Sequence, residues 1–471
     1  MTVRTYTKLH LIVYLAIFTV CIVTLKAILH KSTSEPRRRN ESPNLEIEIS
    51  DFRVEEQSVD FEEQTEVSLI DTGFVKELPF YRARLDRRRL IKIYDWVWTG
   101  ERWDELLSSF SICLSTQGSM DRIMSVPELV EAWRGPVSLA VYITNPNEWV
   151  GLNLLVNHYR KCHPLFRDYV SIHLAIPVQI ENTWTADLQQ LEDEEEAEKF
   201  VTSFTNLPCT TSDKVLQHMI KKIQANEDSK LLMENYPQNH MRNIAEKACG
   251  TEWTFSTDID IIPRPDSATL LQDFILTDYV QECQQCAFVV PTFELDIKQS
   301  YPASKKELVQ LWNSSLAQPF HFDVFLKAHN ATNYKRWART NLGEEPIKVS
   351  HKATRKYMQY YEPFYISPSN IPEFQERFIG YGFTRSSQTQ EALTEGWKFQ
   401  VLTPVFAIHW GLQNRETLIN PGNEKIIRRR QTFFNRRIFK RFMIELELRR
   451  KLKQEANYEE KHGTTPDFSK Y

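Results

Sequence analysis

Glycine is scarce in this 471-residue chain, with only 13 positions, and no segment repeats at a fixed period. These absences exclude collagen-like designs and stacked-repeat architectures. An excess of one charge is also lacking: 58 basic residues against 62 acidic ones leave a net charge of −4, which argues against a general nucleic-acid binder. Cysteines number 7, and Cys283-x-x-Cys286 has no second pair at zinc-knuckle spacing, so a structural disulfide or buried thiols fit better than a metal site. What the chain does have is core material. Hydrophobic residues make up 41% and aromatics 12%, enough for one large domain or two fused lobes.

One apolar run stands out near the start. Leu9 to Leu25, extended past Lys26 by Ala27 to Leu29, approaches the ~20 residues a bilayer requires. Residues 9–29 therefore read as a membrane anchor or uncleaved signal, with a cleaved signal peptide as the alternative. Flanking charge leaves the orientation open, because Arg4 and Lys8 precede the run while Lys26, Lys31 and Arg37 to Arg39 follow it. Orientation comes instead from Asn40-Glu41-Ser42, Asn313-Ser314-Ser315 and Asn330-Ala331-Thr332, glycosylation acceptors that function on the lumenal side. Beyond Cys21, an even six cysteines allow fifteen pairings and agree with an oxidising compartment.

The expected division is a cytoplasmic tail at 1–8, the anchor at 9–29, a lumenal stem and lead-in at 30–108, a globular body at 109–453 and a flexible tail at 454–471. The stem is polar and acidic. Arg82 to Lys92 reads as a solvated helix face, and Glu192 to Glu198 as an acidic surface loop. Within the body, Phe110 to Thr116, Leu129 to Trp133 and Val137 to Ile143 alternate as strand, helix and strand, the opening of a parallel α/β sheet. Ligands of such sheets sit beyond the strands' carboxyl ends, which is where Gln117 to Arg122 would lie, with Gln117 and Asp121 as binding candidates. Val170 to Ile176 reads as a third strand.

Trp253 to Pro263 (WTFSTDIDIIP) reads as a buried strand ending at a proline, and in an extended chain Asp258 and Asp260 share a face. Paired carboxylates suit a hard divalent cation that also takes phosphate oxygens, although a solvated turn is the blander reading of an isolated D-x-D. The preceding helix, Tyr236 to Ala245, places Asn239 and Arg242 on one face, able to offer an amide and a guanidinium to a phosphate or else to pack internally. Glu362 lies among Tyr360, Tyr361, Phe364 and Tyr365, which would desolvate its carboxylate, though pairing with Arg355 is the structural alternative. Glu294 and Asp323 are rival bases. Asn423 to Lys453 reads as a basic helix with Phe433, Phe434, Phe439 and Phe442 as apolar contacts.

Nine blocks in fixed order carry a resemblance: QGSMDR, WRGPVSLAVY, YPQNHMRNIA, FSTDIDIIP, VVPTFEL, ATNYKRW, YEPFY, RFIGYGF and FAIHWG. The chain resembles glycosyltransferase family 49, more its glucuronyltransferase branch than its LARGE branch. That resemblance implies a GT-A fold, Rossmann-like, and metal-dependent inverting transfer from a UDP-sugar to a glycan acceptor on a glycoprotein, with UDP-glucuronate as the favoured donor. UDP-xylose or UDP-N-acetylglucosamine are the alternative donors, and a catalytically silent lectin-like or scaffold role is the alternative of another class. It further implies Mn²⁺ on Asp258, Asp260 and His409, Glu362 as the base, and Arg385 or Arg242 for a donor carboxylate. The implied setting is the Golgi membrane as a type II protein, in complexes with other Golgi transferases. Thr384 departs from the family, which has Asn there, and this bears on donor or acceptor identity.

Overall fold

The chain enters its main sheet as a hairpin. Arg84–Leu85 (β1) and Ile91–Trp98 (β2) pair antiparallel, and Asp86 closes the turn by accepting from the backbone N–H groups of Arg88, Leu90 and Ile91. The basic stretch is thus a hairpin rather than a helix face, because an aspartate holding three N–H groups is a turn signal that charge patterning ignores. This computed structural model describes residue 78 and residues 83–178, 194–223, 235–340, 346–413 and 423–462. The apolar run at 9–29 and the Asn40 acceptor lie outside the described residues. No helix among the described residues is long and apolar enough to cross a membrane.

After Trp103–Ser109 (α1), the expected parallel unit follows as Ile112–Ser119 (β3), Val126–Trp133 (α2) and Val137–Tyr142 (β4). Strand β3 runs through Gln117 and Gly118, which are sheet residues and not loop as expected. Pro146–Cys162 (α3) and Pro164–Tyr169 (α4) lead to Val170–Pro177 (β5), parallel to β4. Two more helices come next, Glu194–Thr205 (α5) and Asp213–Ile223 (α6), so most of the acidic run is helical. Gln238–Cys249 (α7) then lays Met241, Ile244 and Ala245 against Ile91, Ile93, Ala140, Tyr142 and Ala175 of the sheet.

The second half adds Trp253–Ser256 (β6), Ile261–Pro263 (β7), Ser267–Ile275 (α8), Asp278–Gln281 (α9), Cys286–Val289 (β8) and Thr292–Leu295 (β9). Lys305–Asn313 (α10), Ala317–Pro319 (β10), Phe322–Phe325 (α11), Tyr334–Arg339 (α12), Lys348–Lys352 (β11) and Tyr365–Pro368 (β12) follow. Thr384–Glu395 (α13), Lys398–Thr403 (β13), Ala407–Trp410 (β14) and Asn423–His462 (α14) complete the order. The result is a mixed α/β fold with two sheets. A ten-stranded sheet runs β1-β2-β5-β4-β3-β6-β12-β8-β13-β11, and a four-stranded one runs β10-β9-β14-β7. Strands β5, β4, β3 and β6 are mutually parallel, as buried strands joined by crossover helices must be.

Helix α13 is unusual in burying polar residues: Thr384 to Gln390 and Glu391 are all nearly inaccessible. Burial of this kind is tolerable because partners meet the side chains: Gln388 donates to the Pro372 carbonyl at 2.9 Å, and Arg449 of α14 reaches Glu391 at 2.7 Å. Helix α14 anchors through Phe439, Phe442 and Leu446, which cluster with Phe378, whereas Phe433 and Phe434 are exposed. It continues through His462, beyond the residue where a loose tail is expected.

The three disulfides are Cys113 to Cys249, Cys162 to Cys209 and Cys283 to Cys286. The first ties β3 to the end of α7 across a sequence separation of 136. Closing so long a loop restricts the unfolded chain most, so replacing both Cys113 and Cys249 by alanine lowers unfolding free energy by about 2–5 kcal/mol. Urea unfolding measures this; an unchanged midpoint would contradict it.

Candidate active site

Asp258 and Asp260 do not lie in one strand. Strand β6 stops at Ser256 and β7 begins at Ile261, and between them Ile261 donates its N–H to the Asp258 carbonyl at 3.1 Å, making a turn that passes from one sheet to the other. Gly118 makes room for it: a Cβ there would stand 2.9 Å from the Ile259 side chain. In a strand the two carboxylates would share a face; here the turn, not a strand, sets where they lie.

Asp258 is gripped by two arginines. Its Oδ1 accepts from Arg385 Nη2 at 2.8 Å and from Arg242 Nη2 at 3.2 Å. Burial alone would raise this carboxyl, but the Arg385 and Arg242 charges outweigh it and hold Asp258 well below the usual carboxylate range. Arg242 also donates to Asn239 Oδ1 at 2.9 Å and to the Thr384 hydroxyl at 3.3 Å, and Arg385 donates to the Ser256 carbonyl at 3.3 Å. Phe374 flanks both guanidiniums, and Phe364 lies 4.6 Å from that of Arg385. Asn239 and Arg242 do share a helix face, but that face turns inward. The Asn239 amide donates to the Gln375 and Thr384 carbonyls at 2.9 and 3.0 Å, and Asn239 and Arg385 are only 0% and 3% exposed. Their polar groups hold the acidic turn in place.

Asp260 meets a different set of partners, although the Asp258 charge still reaches it. Its Oδ2 lies 3.7 Å from His409 Nε2 and 3.9 Å from Arg122 Nη1. Strand pairing explains the meeting: β14 runs antiparallel to β7 with His409 opposite Ile261, the residue after Asp260. Burial raises the Asp260 carboxyl, against the lowering effect of His409. His409 Nδ1 is buried without a hydrogen-bond partner. The nitrogen that faces Asp260 is Nε2, with Gln413 Nε2 at 3.4 Å, and a desolvated carboxylate beside an imidazole nitrogen fits the oxygen and nitrogen donors that Mn²⁺ accepts. Asp258 fits less fully, since one oxygen is taken by arginine and the three side chains do not bring donor atoms all within 4.8 Å of one another.

Glu362 is half-buried, and burial raises its carboxyl above the usual range against the lowering effect of the Ser386 hydroxyl and N–H and of Arg242 and Arg385. The groups that act on it lie on the first turn of α13 and on Arg242, not at Arg355. The rival Glu294 is fully enclosed, accepting from His321 N, Gln318 Nε2 and Gln413 N at 2.8, 2.7 and 2.9 Å. Asp323 lies exposed on α11. Gln117 accepts from the Tyr236 hydroxyl, and Asp121 accepts from the Ser119 hydroxyl with Arg122 3.7 Å away. The glycines of RFIGYGF serve the fold: Gly380 and Gly382 have φ of +69° and +93°, and a Cβ on Gly380 would meet Gln431 of α14 at 2.5 Å.

Sequence reading missed several neighbours. Arg122 closes the QGSMDR block and, with a side chain 60% exposed, is the cation at the open side of Asp260. His321 and His329 flank Phe320 beside His409, and burial lowers both, His321 to about 4, with the nearby His409 charge adding to that at His321. No motif marked these histidines.

Residues 111–450 match a family model described as a glycosyl-transferase for dystroglycan. The chain belongs to glycosyltransferase family 49. As a member of that family it is a glycosyltransferase. Among similar proteins, "Beta-1,4-glucuronyltransferase 1" of Mus musculus is 28% identical over 340 residues, covering 72% of this chain and 75% of its own. "Xylosyl- and glucuronyltransferase LARGE2" of Rattus norvegicus is 26% identical over 305 residues, covering 63% of this chain and 34% of its own. A solved structure, S. aureus TarS residues 1–349 with UDP, shares 10% identity at a TM-score of 0.32, covering 64% of this chain and 60% of its own, too slight a likeness to bear on the fold.

For this family 49 chain the arginine grip predicts a coupled response. Arg385→Met leaves Asp258 with one partner and lowers stability by about 3–5 kcal/mol, the range for breaking one side of a buried pair. Adding Asp258→Asn recovers part of that loss in urea unfolding at pH 7; strictly additive losses would refute the coupling.

Proposed function

We propose that this glycosyltransferase has a GT-A catalytic domain and transfers glucuronic acid, with inversion, from UDP-glucuronate to a terminal sugar of a glycoprotein glycan. The observation that carries this reading is the meeting of Asp260, His409 and Arg122 at one open edge. Asp260, His409 and the second oxygen of Asp258 would hold Mn²⁺, which supplies charge neutralisation for a departing diphosphate. Arg122 adds a guanidinium suited to phosphate oxygens at the same edge. Glu362 takes the proton of the acceptor hydroxyl. That oxygen then forms the new bond to the anomeric carbon as the bond to the diphosphate breaks and UDP leaves with the electron pair. Arg242 and Arg385 keep Asp258 ionised throughout, and with Asn239 they fix its position. Because Arg385 is spent on Asp258 and Ser256, donor-carboxylate recognition falls to a more accessible cation such as Arg122. The setting proposed is the lumenal face of the Golgi membrane, with residues 9–29 as the anchor of a type II protein and other Golgi transferases as neighbours.

A panel of UDP-sugars tests the donor. UDP-glucuronate is turned over best, in a manganese-dependent reaction that Asp260→Asn reduces at least ~100-fold by loss of the charge at the diphosphate. A preference for UDP-xylose or UDP-N-acetylglucosamine reassigns the donor, and no turnover of any sugar nucleotide refutes the reading.

Glu362 predicts a pH profile. Only its ionised form can accept a proton and burial has raised its pKa, so kcat/KM climbs with pH through a limb above the ordinary glutamate range. Glu362→Gln lowers kcat by about 10²–10⁴-fold. A variant that keeps its rate removes Glu362 from the role.

A further inference from the structure

Away from the acidic turn, three side chains converge beneath the N-terminal hairpin: Asp86 from the β1–β2 turn, His240 from the first turn of α7 and Glu376 from the segment before α13. Each offers one donor atom, and these atoms all lie within 4.8 Å of one another. His240 Nε2 is 3.5 Å from Asp86 Oδ2 and 3.7 Å from Glu376 Oε2. Asp86 and His240 are only 7% and 1% exposed.

These distances are too long for good hydrogen bonds, and neither ring nitrogen of His240 has a hydrogen-bond partner. Leaving a buried polar group unpaired is costly. They do, however, suit ligands that share an ion. Two donors each about 2.0–2.1 Å from a tetrahedral Zn²⁺ stand roughly 3.3–3.4 Å apart, within a few tenths of an ångström of what is seen.

The remaining oxygens behave as supporting groups. Asp86 Oδ1 accepts from Leu90 N and Ile91 N at 2.6 and 2.8 Å, and Glu376 Oε1 accepts from Asn243 Nδ2 at 3.0 Å. Asn243 is itself fixed by the Phe374 N–H at 2.9 Å. Asp86 Oδ2, the oxygen nearest the imidazole, also accepts from Arg88 N at 3.0 Å and keeps a second lone pair for an ion, so backbone and amide donors orient both carboxylates, the pattern by which outer partners aim metal ligands. Two carboxylates and a neutral imidazole also balance the charge of one divalent ion. The imidazole disfavours calcium and magnesium, which take oxygen donors.

We propose that Asp86, His240 and Glu376 bind one Zn²⁺, with water completing the site from the solvent side of Glu376. This ion pins the N-terminal hairpin to α7 and to the segment leading into α13. It is separate from the metal proposed at Asp260, and neither depends on the other.

The full chain carrying Asp260→Asn, which removes the other metal-competent pair, is loaded with zinc, dialysed against metal-free buffer and assayed by mass spectrometry of its metal. About one zinc per chain is retained, and adding Glu376→Gln or His240→Gln lowers that at least tenfold, as loss of one of three protein ligands requires. Thermal unfolding with and without chelator guards against misfolded variants: chelator lowers the Tm of Asp260→Asn and leaves Asp260→Asn/Glu376→Gln unmoved. No retained zinc, zinc that survives Glu376→Gln, or an equal chelator shift in both proteins overturns the proposal.

Discussion

A single carboxylate oxygen, Asp258 Oδ1, sits between two buried guanidiniums, and the site is arranged around that contact. Two like charges so close, away from water, repel and are poorly solvated, and burial and the neighbouring Arg385 both weaken the hold of Arg242 on its proton. The aspartate makes their proximity tolerable, and they in turn keep it ionised. Through this triad α7, α13 and the turn after β6 are locked together, because Nη1 of Arg242 donates to Asn239 and Thr384. The charged interior fixes positions; the chemistry is left to groups at its edge.

That edge is built by the smaller sheet. Asp260 leaves the turn directly into β7, and the β14 register sets His409 across from the next residue along. A slip of one position would send the imidazole to the opposite face, since side chains alternate along a strand. Glu294, lateral to His409 in β9, is satisfied by three donors and holds the Gln318 and Gln413 segments around the imidazole. Phe320, the half-buried His321 and the buried His329 supply a neutral, aromatic wall beside it.

Much of this was legible in the sequence. Apolar runs separated by short helical patterns gave β4 and β5 to within one residue and β3 and α2 to within three, because hydrophobic periodicity is a local property. The acidic pair was legible as chemistry but misread as geometry: nothing local distinguishes one strand ending at Pro263 from two short strands on different sheets. Asn239 and Arg385 show the same limit from another side. Their residue types suggest ligand contacts, and only the fold reveals that their hydrogen bonds turn inward. Thr384, where the family has Asn, is part of that interior: its hydroxyl accepts from Arg242 and donates to Gln238. The hairpin at Asp86 was hidden by its arginines, since turn closure by one carboxylate leaves no trace in charge statistics.

The long last helix reaches back into this arrangement. The Asn435 amide donates to the carbonyls of Ile379, Tyr381 and Gly382 at 3.0, 3.1 and 3.0 Å, and so holds the turn from which α13 starts. Helix α13 carries Arg385 and Ser386, the partners of Asp258 and Glu362. A nascent chain still lacking residue 435 therefore has every acidic group of the site in hand but not the last hold on the helix that partners two of them. The arrangement is complete only when the final helix has been made and is in place.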